Sequence, residues 1–367
     1  MPFITSVAHA NLPYALKQEE ALSFAKTMFS DRFEDIDRLL SIFHNGQIRT
    51  RYFCMPFEWY KEPHTFEEKN NAYIEHATKL SIEAVKSCLE NKSFLEQSVD
   101  YDEIDAIFFI STTGLATPTI DVKIINALPF SRHVKRIPIW GLGCAGGTAG
   151  IARAMDYCKA YPKANVLVIT VELCSLTFQR NDKSKSNLVG SSLFADGVAC
   201  TLVSGTEAKT LRKVATSNLF EIINTRSTLK PDSEDVMGWD VKNEGLFVVF
   251  SKSIPNLVKN WFSENVDEFL DSNMVTQKDI SHFIAHPGGK KVLDAYEEAL
   301  QLQPNMTDIS RFVLEEYGNM SSTTVIFVLE ETMKKGIKDG ELGLMTSLGP
   351  GFSSELALLK GTRKESV

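Results

Sequence analysis

The order of elements along the chain repeats once. An apolar run, "IDAIFF", begins at residue 104, Cys144 sits where a helix-like run opens, and "NVLVIT" begins at residue 165. A second series has "ISHFIA" at 280, Asn319 ahead of another helix-like run, and "ELGLMTS" at 341. The offsets between the series are 176, 175 and 176 residues. Residue identity between the two is slight, so the signal lies in order and spacing. Two similar halves packed as pseudo-twofold mates carry such a pattern. The helix starts at Cys144 and Asn319 then become equivalents that point to a shared centre.

The segments "IDAIFFIST", "NVLVITVEL", "HFIAH" and "LGLMTSLG" are dense in apolar residues instead of alternating with polar ones. That suits strands covered on both faces. Between them run amphipathic stretches such as "AYIEHATKLSIEAVKSCLENKS", "IPNLVKNWFSENVDEFLDSN" and "STTVIFVLEETMKKGI". Strands alternating with helices predict an α/β fold with largely parallel pairing. No Pro/Gly-rich linker divides the chain, so the halves, residues 1–220 and 221–367, are expected to share one core.

With 367 residues the chain has ample length for that core without staples. A net charge of −8 argues against nucleic acid as a partner. The six cysteines lack CxxC spacing, which disfavours a disulfide scaffold or a zinc site and suits reduced thiols. The N-terminal "MPFITSVAHANLP" has no basic stretch ahead of a long apolar one. No apolar run approaches the roughly 20 residues of a membrane helix. A cytoplasmic protein without membrane insertion is expected.

Cys144 lies in "WGLGCAGGTAG", between a strand-like run and a helical one. At a helix N-terminus the free N–H groups and the dipole favour a thiolate. The surrounding glycines let a substrate carbonyl approach closely. His286 ends a strand in "FIAHPGGKKVLDAYEEAL", and Lys290 and Lys291 follow it as a solvated face or a phosphate contact. Asn319 precedes a Ser/Thr run in "YGNMSSTTVIFVLEE", where helix capping alone could account for it. Cysteine, histidine and asparagine at element edges form either a Cys/His nucleophile with an orienting amide or a nucleophile with two oxyanion donors.

With these residues the sequence resembles the type III polyketide synthases, the chalcone-synthase-like branch of the thiolase superfamily. The matching segments are "WGLGCAGGTAG", "SSLFADGVACTLVSG", "HPGGKKVLDAYEEAL", "YGNMSSTTVIFVLEE" and "SLGPGFSSE", in family order over nearly the whole chain. The resemblance implies a thiolase-like α/β fold of two pseudo-symmetric halves in a five-layer αβαβα arrangement. It implies a homodimeric acyltransferase without metal or cofactor, whose substrates are acyl-CoA and malonyl-CoA. Cys144 would hold the acyl group as a thioester, with His286 stabilising its thiolate. His286 and Asn319 would bind the malonyl thioester carbonyl. Phe194 matches the gatekeeper aromatic. Thr112, Thr113, Cys174, Thr177 and Ser321 match cavity-lining positions, and Gly349, Pro350 and Gly351 match the loop beside the cysteine. Thr117 matches a position that reaches the partner subunit's cavity in plant relatives.

The departures from the plant pattern bear on the product. A second gatekeeper phenylalanine falls on Val248, with Phe247 beside it. Of the basic residues that meet CoA, Arg38 matches one, while Ser41 and Asn45 do not match the others. Lys290 and Lys291 are the substitutes expected here. A long fatty acyl starter and an alkylpyrone or alkylresorcinol-type product are the expected chemistry. Two alternatives stay open from the residues: a single-step condensing enzyme fed by acyl carrier protein, and a non-catalytic acyl-binding protein of the same fold.

Overall fold

The computed structural model describes residues 1–29, 36–215 and 218–363. The first half contains β1 (Phe3–His9), β2 (Tyr14–Lys17), β3 (Thr50–Phe53), β4 (Ala106–Ile110), β5 (Lys135–Ile139), β6 (Asn165–Leu173) and β7 (Asp196–Ser204). Its helices are α1 (Gln18–Phe29), α2 (Ile36–Asn45), α3 (Phe66–Leu89), α4 (Ile120–Ala127), α5 (Gly146–Ala160) and α6 (Lys185–Leu193). The second half contains β8 (Asn218–Leu229), β9 (Met237–Lys242), β10 (Gly245–Phe250), β11 (Ile280–Ala285), β12 (Leu342–Gly349) and β13 (Ser353–Arg363). Its helices are α7 (Ile254–Leu257), α8 (Ser263–Ser272), α9 (Lys290–Ala299), α10 (Asp308–Tyr317) and α11 (Thr324–Lys335).

Nine strands join in the order β11-β12-β13-β8-β1-β7-β6-β4-β5. Parallel ladders join β4 to β5 and β6, and β11 to β12. The other ladders of this sheet are antiparallel, so it is mixed and not largely parallel. An apolar run reports burial on both faces, not strand direction. Here that burial comes from layering. Helices α5 and α11 touch strands of both halves and form the central layer. Helices α3 and α4 cover the first half's outer face, while α8 and α9 belong to the apolar cluster outside β11–β13. Every residue of β6 and β7 is buried. Helix α3 begins earlier than its apolar period suggests, because Thr65 accepts from Glu68 N–H while Glu68 accepts from Thr65 N–H, a capping box.

The internal repeat shows in the central helices. Each is entered through one 3-10 turn, Gly143–Ala145 before α5 and Ser321–Thr323 before α11. The first residue of each turn is left-handed, Gly143 at φ +48° and Ser321 at φ +49°. By this correspondence Cys144 matches Ser322, which corrects the pairing of Cys144 with Asn319. Asn319 stands just ahead of its turn. The two helices meet closely: a Cβ on Gly147 would stand 2.3 Å from the Ser322 carbonyl oxygen.

Candidate active site

The glycine before the cysteine has two reasons to be glycine. Gly143 is left-handed, and a Cβ there would stand 2.6 Å from Cδ of Pro350. The turn it starts holds Cys144, buried, with Sγ donating to Ser321 Oγ at 3.5 Å. Burial pushes the thiol up to about 12; the Ser321 hydrogen bond opposes this and nearby Glu172 adds to it. Burial thus favours the neutral thiol, whereas position at a helix start favours the thiolate.

His286 follows β11, its N–H donating to the Thr346 carbonyl at 2.9 Å. Its ring is buried, and burial holds it down at about 3. Among the described residues neither ring nitrogen has a hydrogen-bond partner. The thiol and the imidazole are thus not joined by a hydrogen bond, and the expected direct pairing is not formed in this structure. They are linked through Asn319. Its Nδ2 donates to the Gly288 carbonyl at 3.2 Å, and its Oδ1 accepts from Ser321 N–H at 2.8 Å. A Cβ at Gly288 would lie 3.7 Å from His286 Nε2. A continuous line of neighbours therefore runs Cys144–Ser321–Asn319–Gly288–His286.

Asn319 is held by its backbone. Its N–H donates to Leu193 and its carbonyl accepts from Ala195 N–H, both at 2.9 Å. Phe194 lies between those two residues. Arg51, buried, donates to the carbonyls of Ser191 and Phe194 at 2.8 Å each and fixes the same segment. Burial lowers this guanidinium to about 10, against the opposing charge of Asp196.

Glu172 near the end of β6 is a residue that the motifs did not single out. Fully buried, it accepts from Thr112 N–H at 3.1 Å, Thr112 Oγ1 at 2.9 Å and Ser322 Oγ at 2.5 Å. Burial raises it to about 7 in spite of these donors. A lone acid inside a mostly apolar strand was the available signal, since such groups are rarely buried without partners. Thr113 Oγ1 accepts from Leu173 N–H at 2.9 Å, and Thr177 Oγ1 donates to the Cys174 carbonyl at 2.8 Å. Thr112, Thr113, Cys174, Thr177 and Ser321 are all buried around this centre. In the 349–351 loop, Pro350 packs on Gly143, and a Cβ at Gly349 would lie 2.6 Å from that of Ala145; Gly351 has φ +130°.

The β9–β10 ribbon carries the remaining gate positions. Val248 faces Gly190 and Phe194, with Cγ1 3.4 Å from the place of a Gly190 Cβ. Phe247, one residue earlier in the strand, points away and lies under the Lys242 ammonium, 4.5 Å from its ring centre. Thr117 is exposed, as are Arg38 and Lys291. Lys290 pairs with Asp294 one helical turn on, at 2.6 Å.

Known proteins place this geometry. Chalcone and stilbene synthases match through their N-terminal domain over residues 5–207 and through their C-terminal domain over residues 221–363. A Bacillus subtilis (strain 168) protein that carries a provisional name as a chalcone synthase is 51% identical over 98% of both chains. The 1,3,6,8-tetrahydroxynaphthalene synthase of Streptomyces peucetius subsp. caesius is 34% identical over 97% of this chain and 93% of its own. The crystal structure of the Streptomyces coelicolor A3(2) enzyme of that name, a bacterial type III polyketide synthase, has a TM-score of 0.90 at 28% identity. It covers 98% of this chain and 99% of its own. The chain belongs to the chalcone and stilbene synthase family. It is a type III polyketide synthase with a thiolase-like fold, an acyltransferase that condenses malonyl-CoA.

Proposed function

We propose that the chain extends a long-chain fatty acyl-CoA starter with malonyl-CoA and releases an alkylpyrone or alkylresorcinol-type product. The observation that carries the starter assignment is a mostly apolar pocket beside Phe194, lined by Leu16, Phe24, Met28, Phe57 and Phe178. Walls of this kind suit an alkyl tail.

In this reading the Cys144 proton passes to His286, the sulfur attacks the starter thioester, and the imidazolium returns that proton to the departing CoA sulfur. Burial opposes each charge singly, so thiolate and imidazolium arise as a pair. The malonyl thioester then loses carbon dioxide. The electrons of the broken C–C bond become an enolate, whose oxygen is held by donors from His286 and Asn319. Asn319 Nδ2 has two hydrogens and spends one on Gly288, which leaves the other for that oxygen. The enolate carbon attacks the acyl-cysteine carbonyl, and the Cys144 thiolate departs. The CoA phosphates would meet the exposed Arg38 and Lys291.

A homodimer is part of this proposal. β5 is an edge strand that among the described residues pairs only with β4. Trp140 directly after it is 53% exposed and Leu115, after β4, 42% exposed, large apolar groups of the kind an interface with a second copy would cover. Thr117, two residues beyond Leu115, is exposed as well. Six free, buried cysteines fit a reducing, cytoplasmic setting. Among the described residues no helix is long and apolar enough to cross a membrane.

Incubation with malonyl-CoA and acyl-CoAs of graded length, read by mass spectrometry, tests the assignment. Long-chain starters should give extended, cyclised products from the free CoA esters. Products from acetyl-CoA alone, or dependence on acyl carrier protein, would overturn it.

A further inference from the structure

The position that would close the gate opposite Phe194 holds Val248, too small to do so, and Phe247 faces the other way. Two other rings occupy the space. Trp239 of β9 lies 5.9 Å from the Phe194 ring centre, tilted by 48°. Phe250 of β10 lies 5.5 Å away at 37°. Both separations fall in the range of attractive aromatic pairs. The ribbon's register explains the exchange. Trp239 is the cross-strand partner of Val248, so the large ring sits beside the small residue, and Phe250 shares the same face two residues on. Phe194, Trp239 and Phe250 are all half-buried, and Phe250 also packs against the second half's apolar cluster.

The two sides of this contact differ in firmness. Phe194 is stitched to Asn319 through the backbone bonds of Leu193 and Ala195, and its carbonyl is held by Arg51. The β9–β10 ribbon is a separate two-stranded sheet with a two-residue loop, Asn243–Glu244. A two-stranded ribbon alone is marginal and owes its position to what it packs against. A shift of Trp239 and Phe250 would therefore change the opening beside a Phe194 that stays in register with the site.

We propose that Trp239 and Phe250 are specificity-determining residues of this synthase: with Phe194 they form a three-ring gate that selects the acyl group admitted to Cys144. This inference rests on the acyl-CoA-primed reading above and names residues which that reading does not use. The test compares the parent enzyme with Trp239→Ala, Trp239→Phe and Phe250→Ala. Each receives malonyl-CoA with a short or a long straight-chain acyl-CoA, and both products and the acyl-Cys144 adduct are measured by mass.

Trp239→Ala should alter the long-to-short product ratio by about tenfold or more, the scale on which pocket contacts discriminate. Phe250→Ala should move the ratio in the same direction. Trp239→Phe keeps a ring and should hold the parent's ratio. A lower overall rate with the ratio unchanged in Trp239→Ala would overturn the gate and leave only a structural role. An equal change in Trp239→Phe would overturn it too. Should Trp239→Ala be insoluble, Phe250→Ala decides alone by the same criterion. A parent that loads no acyl-CoA on Cys144 would instead remove the underlying reading, and the two failures are distinct.

Discussion

Gly147→Ala adds one methyl group where α5 meets the start of α11. Its Cβ would stand 2.3 Å from the Ser322 carbonyl oxygen and 2.5 Å from Val325 Cγ1. The Val325 methyl group can turn aside, but the carbonyl is backbone and cannot. Ordinary contact begins near 3.4 Å, so the helices must separate by about 1 Å. Overpacking of this size costs about 1–3 kcal/mol. An unfolding entropy of about 2 cal/mol/K per residue then gives a Tm loss of only a few degrees for a chain this long, about 1–4 °C. The effect on chemistry should be larger. Ser322 adjoins Ser321, which holds the Cys144 thiol and the Asn319 amide. A misplacement of about 1 Å between reacting groups costs about 10²-fold in rate. Thermal unfolding beside the rate of malonyl-CoA condensation separates the two effects. A folded variant with the parent's rate would refute the claim that the α5–α11 spacing sets the site. So would a rate loss no larger than the unfolded fraction accounts for.

Two further perturbations probe single groups. Asn319→Asp keeps the acceptor for Ser321 N–H and removes the donor. Malonyl-CoA decarboxylation should fall by about 10²–10³-fold, as for a lost oxyanion donor, while Cys144 acylation followed by intact mass stays within a few-fold; equal loss of both would show that Asn319 only supports the loop. Glu172 has a folded-state pKa raised to about 7, so its contribution to stability is present below its unfolded value near 4.5 and is lost as pH rises through about 7. Relative to Glu172→Gln, the parent should therefore lose roughly 2–3 kcal/mol of stability between pH 5 and pH 8, read by urea unfolding at each pH. A difference that does not change with pH would refute the buried protonation.

The repeated order of elements was legible because apolar runs and helix starts survive when residue identity does not. The boundaries of β6 and β12 could be read directly, since a strand buried along nearly its whole length is a short run dense in apolar residues. Strand direction was not legible. The antiparallel return of β7 along β6 and of β13 along β12 leaves no mark in hydrophobicity. The pairing of Cys144 with Asn319 across the repeat failed for a related reason. Equal spacing in sequence did not register the left-handed residue that starts each turn, and only backbone angles show Gly143 answering to Ser321. Phe247 illustrates a third limit. One residue in a strand separates the side that meets Phe194 from the side that meets Lys242, and an offset of one flips every side chain.

The corrected correspondence explains why the centre of this fold can do chemistry. Two central helices begin side by side, and each brings its turn to the same place. One turn carries a thiol, Cys144. The other places Ser322 at the matching position, and its hydroxyl is spent on Glu172 at 2.5 Å. In the proposed mechanism the repeat is divided into a nucleophile on one helix start and a support on the other. The donors proposed for the enolate come from outside both turns, Asn319 just before the second and His286 just after β11. Burial has a consistent effect on the members of this set that titrate. It pushes the Cys144 thiol and the Glu172 carboxyl up and holds the His286 imidazole down, so each favours its neutral form. A site of neutral groups is inert toward water at rest. In the proposed mechanism it gains charge when one proton moves from sulfur to imidazole, creating both members of an ion pair at once in a low-dielectric pocket where their attraction is strong. In that mechanism an enolate formed there meets the same condition: its charge lasts only while a donor faces it, which would restrict the reaction to substrates that reach both Cys144 and the free Asn319 hydrogen.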